Sequence, residues 1–522
     1  MSSDLTQLDL AVVGLYLVVV AAIGYWVARS VHEGDDLFLA GRSLGFGAIG
    51  LSLFASNISS TTLVGLAGQA YSTGISVANY EWMAGIIFLF MTVFTIPVFL
   101  KNRLTTIPEY LALRFDRRTQ KYFSVLTIAL SIFVDTAGSL YAGTIILQTF
   151  FPALPFWGTC IGLAFFAGLY TAAGGLRAVV YTDVVQAVVL LVGSSILTWS
   201  IFAAHGYSWE HATAGLPPGQ LSLIRPLDDE ALPWLGTLIG VPVLGFYYWS
   251  TNQYIAQRIL GAKSLDDARW GGVLAGLLKL TPLFVMVLPG AMAVSLLPKL
   301  DNPDAVFPEL VLSILPSGLR GLVLSGLIAA IMSTIDSTLN SASTLVFHDF
   351  LRKEGGPEGD GNAVRLGRVI TFSFMVVAAL WAPLIRNFPG VFHYLQQVFS
   401  YAVPPVVAIF VMGMFWRRGT AGAAFWTLVF GHAVGLAQLV LSQSGVITMH
   451  FTIVAGLTTA LCVGAFVTFS LLSAPPSPAQ LTHTLWTRDQ AWPDRPHPWW
   501  KDYRVQATAV ALLTLATVCV FW

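Results

Sequence analysis

Charge is what this chain has least of. Of its 522 residues, 10% are Asp, Glu, Lys or Arg and 56% are hydrophobic, whereas a soluble domain carries roughly a quarter charged residues. That balance excludes an ordinary water-soluble domain and describes a polytopic membrane protein. Basic and acidic residues number 27 each, so nothing suggests nucleic acid as a partner. Cysteine is scarce: Cys160, Cys462 and Cys519 all fall in apolar stretches, which argues against a disulfide framework. The sequence also lacks a Cys/His cluster with metal-ligand spacing, a Gly-rich phosphate loop with its lysine, and a nucleophile elbow. Enzyme chemistry therefore has no visible home. The first thirty residues lack a basic n-region and carry Asp4 and Asp9, so the apolar run Leu10–Val27 reads as a retained first span rather than a cleaved leader.

What the chain has in abundance is long apolar runs. A helix needs about 20 residues to span the hydrocarbon core, and such runs predict about 14 spans, near 8–29, 45–70, 77–100, 122–150, 155–173, 179–203, 233–256, 272–298, 317–347, 365–385, 391–416, 420–443, 449–473 and 504–522. A short interfacial helix is expected at 303–315, and the polar, Pro-rich loops at 204–232 and 474–503 lie outside the bilayer. With the N-terminus outside, every lysine and arginine falls in an inner loop except Arg225, Lys299, Arg320, Arg386 and the intramembrane Lys279. This bias predicts both termini extracellular. The chain reads as one all-α membrane domain (1–522).

Five ionisable residues lie within or against the apolar runs: Glu81, Asp135, Asp183, Lys279 and Asp336. Such groups are costly in lipid and persist where they face a pathway or a partner. Around them the spans turn polar. Ser56-Asn57-Ile58-Ser59-Ser60-Thr61-Thr62 interrupts the second span. Unwound backbone at that depth is tolerated where it lines a cavity, and freed carbonyls can hold Na⁺; a Ser/Thr packing face is the simpler alternative. In the ninth span Ser333, Asp336, Ser337, Asn340, Ser341 and Thr344 share one helical face. Hard oxygens on one face suit a small hard cation, with Asp183 at hand to add charge; helix–helix glue is the competing explanation. Tyr247-Tyr248-Trp249 precedes Ser250-Thr251-Asn252-Gln253 in the seventh span, too deep for an interfacial aromatic belt. Flat rings beside hydrogen-bonding groups suit a sugar, and Glu81, Lys279 and Gln396 from three other spans would read its hydroxyls. Asp135 would pair with Lys279 or read a polar substrate. The polar clusters at 56–62 and 245–253 lie five spans apart, as the first helices of two five-helix repeats would.

These stretches are similar to those of the sodium/solute symporter family, and within it to the sodium/glucose cotransporters and the bacterial Na⁺/galactose symporter. The likeness runs through Phe54-Ala-Ser-Asn-Ile-Ser59, Tyr80-Glu81-Trp82, Gly174 to Gln186, Tyr247 to Arg258, Ala262-Lys263-Ser264, Ala329 to Ser333, Leu339 to Ser343 and a last span ending in Phe521-Trp522. The resemblance implies a LeuT-type 5+5 inverted-repeat core: an extra first helix (8–29), repeats at 45–203 and 233–416, and three peripheral helices within 420–522. It implies Na⁺ held by carbonyls of Ala55, Ile58 and Ala330 and hydroxyls of Ser333 and Thr334, with Asp183 nearby, and a further Na⁺ at Asp336 and Ser337. It implies substrate contacts from Asn57, Thr62, Glu81, Trp249, Lys279 and Gln396, an inner gate at Tyr248, and an outer gate at Leu66, Tyr80 and Phe392. The function implied is Na⁺-coupled import of a sugar or polyol by alternating access, with no enzyme activity, in a multi-pass cell membrane of the bacterial inner type. Myo-inositol, a carboxylate or an amino acid is the alternative cargo; a channel or sensor on the same fold is the other class. Thr62 stands where the sugar transporters have Gln or His, Ala84 replaces a serine, and Gly245 replaces an asparagine of the galactose symporter. A site built to hydrogen-bond a hydroxyl discriminates strongly, so these departures bear on the substrate.

Overall fold

The computed structural model describes residues 5–28, 39–171, 175–351, 361–492 and 497–522. Among them every regular element is a helix, with isolated bridges only at Leu44–Ala262 and Arg225–Pro233. In chain order the long elements are α1 (Gln7–Ala28), α2 (Phe46–Asn57), α3 (Ser60–Thr73), α4 (Asn79–Val93), α5 (Arg117–Phe150), α6 (Phe156–Thr171), α7 (Gly175–Ala204), α8 (Val241–Phe246), α9 (Gln253–Leu260), α10 (Leu265–Ser295), α11 (Leu319–Leu351), α12 (Gly361–Trp381), α13 (Val391–Ala402), α14 (Pro404–Phe415), α15 (Ala421–Gln443), α16 (Phe451–Leu471) and α17 (Tyr503–Val520). Among the described residues, nine helices are long and apolar enough to cross a membrane, and the bent pairs α2/α3 and α13/α14 bring the number to eleven.

The bends have local causes. Between α2 and α3 the chain turns by 55°. Ile58 leaves helical geometry at ψ 62°, and the Ser59 side chain restarts the helix by accepting from Thr62 N–H at 3.2 Å, as an N-cap does. Between α13 and α14 the bend is 56°, at Val403-Pro404-Pro405, where two missing N–H groups stop the ladder. The sequence reading runs a single straight span through that bend. After α8 the helix widens into a π turn over Tyr247–Thr251 and breaks at Asn252, which is extended (ψ 125°) and caps α9 by accepting from Tyr254 N–H at 3.3 Å. The regular α-helical ladder of α10 is interrupted at Lys279. Pro282 cannot donate to the Leu278 carbonyl, and the Thr281 hydroxyl does so instead at 2.8 Å.

Close helix approaches rest on glycine. A Cβ on Gly85 would lie 3.1 Å from the Gly276 carbonyl, and one on Gly276 would lie 3.3 Å from the Gly85 carbonyl, so α4 and α10 meet backbone to backbone as small residues allow. α2 packs on α10 and α7, and α11 packs on α7, α1 and α5. Three arginines that the sequence reading leaves in inner loops are buried in protein. Arg114 donates to the carbonyls of Gly413, Trp416 and Gly419 at 2.8–3.1 Å, Arg269 lies 4.4 Å over the Tyr503 ring, and Arg258 enters the core.

A turn ahead of α11 reaches across to α13. Asp304 Oδ2, in the turn Pro303–Ala305, accepts from Val391 N–H at 3.0 Å. Burial pushes this carboxyl from its ordinary 3.8 up to about 6, against the lowering effect of its hydrogen bonds from Val391 and Tyr141. Folding therefore favours its protonated form. Stability contributed here is fully present below about pH 4, is lost as pH rises to about 6 and is level above. Asp304→Asn should flatten that part of a melting-temperature series against pH; an unchanged slope would locate the effect elsewhere.

Candidate functional site

The Gly85–Gly276 approach positions the central pair. Glu81 lies one turn before Gly85 on α4, and Lys279 follows Gly276 by three residues on α10. Lys279 Nζ donates to Glu81 Oε2 at 2.6 Å, with both side chains buried. The same ammonium sits 4.5 Å from the centre of the Trp249 ring, a cation–π contact. Trp249 is packed between Phe88 (4.7 Å) and Tyr248 (4.9 Å). The π turn presents Tyr248 and Trp249 next to the break at Asn252, where a regular helix would have continued into the bundle. One hydrogen bond leaves Lys279 with two donors and Glu81 with further lone pairs.

Lys279 is therefore the partner of Glu81, not of Asp135. Tyr80, next to Glu81, meets Phe392 edge-on at 5.2 Å. Both rings, with Gln69, Thr73, His393 and Gln396, line a cavity of about 10 Å³, room for about one water. Leu66 and Thr62 are buried on α3, the Thr62 hydroxyl 3.2 Å from Ser59 Oγ. The Tyr248 hydroxyl is hydrogen-bonded to that of Tyr254. The side chain of Asn57 lies outside the described residues.

A second cluster surrounds Asp183 on α7, which is fully buried. Its Oδ2 accepts from Ser52 (2.7 Å) and Ser56 (3.2 Å) on α2, and its Oδ1 from Ser333 on α11 at 2.5 Å. Arg258, from α9, donates to Oδ2 at 2.9 Å, to Ser52 Oγ at 2.8 Å and to Ser337 Oγ at 3.2 Å. Four helices are tied together by one carboxylate. Beside it, α2 ends at Asn57, so the carbonyls of its last turn, Ala55 among them, lack ladder partners, while α11 packs against both α2 and α3. On α11 the Thr334 hydroxyl donates to the Ala330 carbonyl at 2.9 Å and keeps its lone pairs for another ligand. The structure thus brings Ser333, Ser337 and Asp183 together. Asp336 is buried on the same helix. The residue missed from sequence is Arg258; a lone arginine in the apolar stretch that also holds the 247–253 cluster, with unpaired acids elsewhere in the core, was the available signal.

A profile of the Sodium:solute symporter family matches residues 37–431. The sodium/myo-inositol cotransporter 2 of Oryctolagus cuniculus is 35% identical over 530 residues, covering 92% of this chain and 78% of the relative. The human sodium/glucose cotransporter 4 is 34% identical over 534 residues with the same coverage. Among solved structures, a Na⁺-coupled sialic acid symporter in an outward-open state superposes with a TM-score of 0.76 at 21% identity, covering 90% of this chain and 99% of that one. The transporter Mhp1 does so with 0.57 at 15%, covering 87% and 98%. The fold is thus that of the LeuT-type transporters, helical throughout its described regular elements and with a broken second span. More particularly, the chain belongs to the sodium:solute symporter family. It is a multi-pass membrane transporter with Na⁺ as its coupling ion.

Proposed function

We propose that this protein couples the inward movement of Na⁺ to uptake of a sugar or cyclic polyol, and that it is not an enzyme. The observation that carries the reading is the buried Glu81–Lys279 pair under the Trp249 ring: paired charges for hydroxyls and an apolar face for C–H groups. Na⁺ is held between the end of α2 and α11 by Ala55, Ile58, Ala330, Ser333 and Thr334, beside Asp183. Asn57, Thr62 and Gln396 complete the substrate shell. The 45–203 and 233–416 segments act as the two repeats; the first helix of each is broken, at 57–60 and at Asn252. Leu66 and the Tyr80–Phe392 contact close one side, and Tyr248, bonded to Tyr254, closes the other. Both termini face outward.

Coupling requires Na⁺ to bind one conformation better than the other. Na⁺ bridging α2 and α11 supplies that difference on this reading, since a state that separates the two helices cannot hold an ion whose ligands come from both. One charge crossing about 100 mV supplies roughly 2.3 kcal/mol, about a 50-fold accumulation before any Na⁺ gradient is counted. The departures at Thr62, Ala84 and Gly245 bear on the choice of substrate, and the relatives include both myo-inositol and glucose cotransporters. In proteoliposomes, labelled myo-inositol should enter saturably under an inward Na⁺ gradient and not under an equal choline gradient, with glucose and galactose as comparisons. If none of these solutes responds to Na⁺, the reading fails.

A further inference from the structure

Asp135 is a buried carboxyl that neither cluster uses. It sits in a π turn of α5 (Ser131–Thr136), and its Oδ2 has no hydrogen-bond partner. The same is true of Thr127 Oγ1 and Ser131 Oγ on its own helix, Tyr247 OH in the π turn opposite, and Asn252 Nδ2 in the break; none of the five residues is more than 3% exposed. They face one another: the Tyr247 hydroxyl is directed at Thr127 and lies near Asp135, and the Asn252 amide is directed at the Asp135 carboxyl, in both cases outside the geometry of a full hydrogen bond. Buried polar atoms left unpaired by protein are satisfied by water. The stripe continues along the helix. Ser124 and Gln120 stand on the same face, both donating to Asp349 at the end of α11, Gln120 at 2.9 Å. Gln120, Ser124, Thr127, Ser131 and Asp135 recur every three or four residues, so they form one continuous polar face. It runs from Asp135 to the basic end of α5, at Arg117, Arg118 and Lys121.

Groups one helical turn apart lie about 5–6 Å from each other. That is too wide for the coordination shell of one metal ion, whose oxygens sit about 2.5 Å from it, and it suits a single file of waters. The titratable groups facing Asp135 are Tyr247 from the π turn after α8, Tyr254 from α9 and Tyr394 from α13; α11 meets the same turn through Thr338, hydrogen-bonded to Thr136 at 2.8 Å. At the far end of the file stand Asp349 and, near it, Glu109. No cation among the described residues pairs with Asp135.

We propose that Asp135 is a proton-binding site, distinct from the Na⁺ cluster and fed from the basic end of α5 through a water file along the Gln120–Asp135 face. A hydronium in the file gives its proton to Asp135 Oδ2, forming the O–H bond and leaving water; no electron moves. A carboxylate enclosed without a cation is costly, so the proton stays until the helix break opens.

The test is infrared difference spectroscopy on the full-length protein in nanodiscs, between acidic and alkaline buffers. Wild type should show a protonated-carboxyl stretching band that is lost in alkali. Asp135→Asn should remove it, and Asp135→Glu should shift it; if Asp135→Asn fails to fold, the Glu shift alone assigns the band. Thr127→Val/Ser131→Ala should keep the band but slow its deuterium shift in heavy water by roughly 30-fold, since each of the two hydroxyl contacts is worth about 1 kcal/mol. A wild-type spectrum identical to that of Asp135→Asn, or a band unmoved by Asp135→Glu, overturns the site. Unslowed exchange in the double variant overturns the file.

Discussion

Lys279→Met is expected to destabilise the protein by about 3–5 kcal/mol and to abolish polyol uptake, because it strands the Glu81 carboxylate with no cation in a closed interior. Glu81→Gln should behave alike, stranding the ammonium. The informative variant is the double one, Glu81→Gln with Lys279→Met. Replacing a buried ion pair by groups of similar volume is often neutral or stabilising, so the double variant should regain most of the lost melting temperature. Uptake should not return. On the proposed reading the charges serve substrate hydroxyls, and a site that hydrogen-bonds its guest loses orders of magnitude in discrimination when those groups go. Met also removes the cation 4.5 Å from the Trp249 ring, a contact worth about 0.5–2 kcal/mol. If the double variant recovers transport along with stability, the pair is a structural brace and the substrate binds elsewhere. Thermal unfolding and proteoliposome uptake on the three variants separate the two cases.

The parts of this site that were legible in sequence are those with a local cause. Six polar residues in seven at 56–62 cannot sit in a lipid-facing helix, and the chain does break there. The aromatic run at 247–249 is too deep for a belt, and it forms the π turn before the second break. Glu81 and Lys279 were each conspicuous as charges in apolar runs. Their pairing was not legible, because it joins residues 198 positions apart and depends on two glycines meeting across α4 and α10. This is also why pairing Asp135 with Lys279 was as reasonable on sequence as pairing Glu81 with it. Arg258 was lost for a different reason. Ending the seventh span at 256 left Arg258 in a loop, whereas the break at Asn252 lets α9 run to Leu260 and carry the guanidinium inward. A boundary error of a few residues thus moved a charge from solvent to the core. The Pro404-Pro405 bend was written in the sequence and went unused, since hydropathy averaged over a span does not register a missing N–H.

Arg258 also changes what is expected of the second cation. Its guanidinium bridges Asp183 and Ser337, where a further Na⁺ next to Asp336 would place another positive charge. Like charges that close, in a poorly screened interior, repel by several kcal/mol. A single coupling Na⁺ is therefore the expectation for the wild type, and Asp336→Asn or Ser337→Ala should leave its Na⁺ Hill coefficient unchanged. Arg258→Gln inverts the situation. Asp183 keeps its three hydroxyl donors but loses its counter-charge, at a cost of about 3–5 kcal/mol in Na⁺-free buffer. The vacated position is lined by a carboxylate and hydroxyls, which suits Na⁺. Added Na⁺ should then restore stability by mass action, by about 2.7 kcal/mol at one hundred times its dissociation constant, and more steeply than in wild type. Melting temperatures across a Na⁺ series, with choline holding ionic strength constant, give the answer. A variant rescued equally by choline responds to ionic strength alone. One that Na⁺ does not rescue has lost a brace rather than a resident cation, and the second ion would then have to be sought away from Asp183.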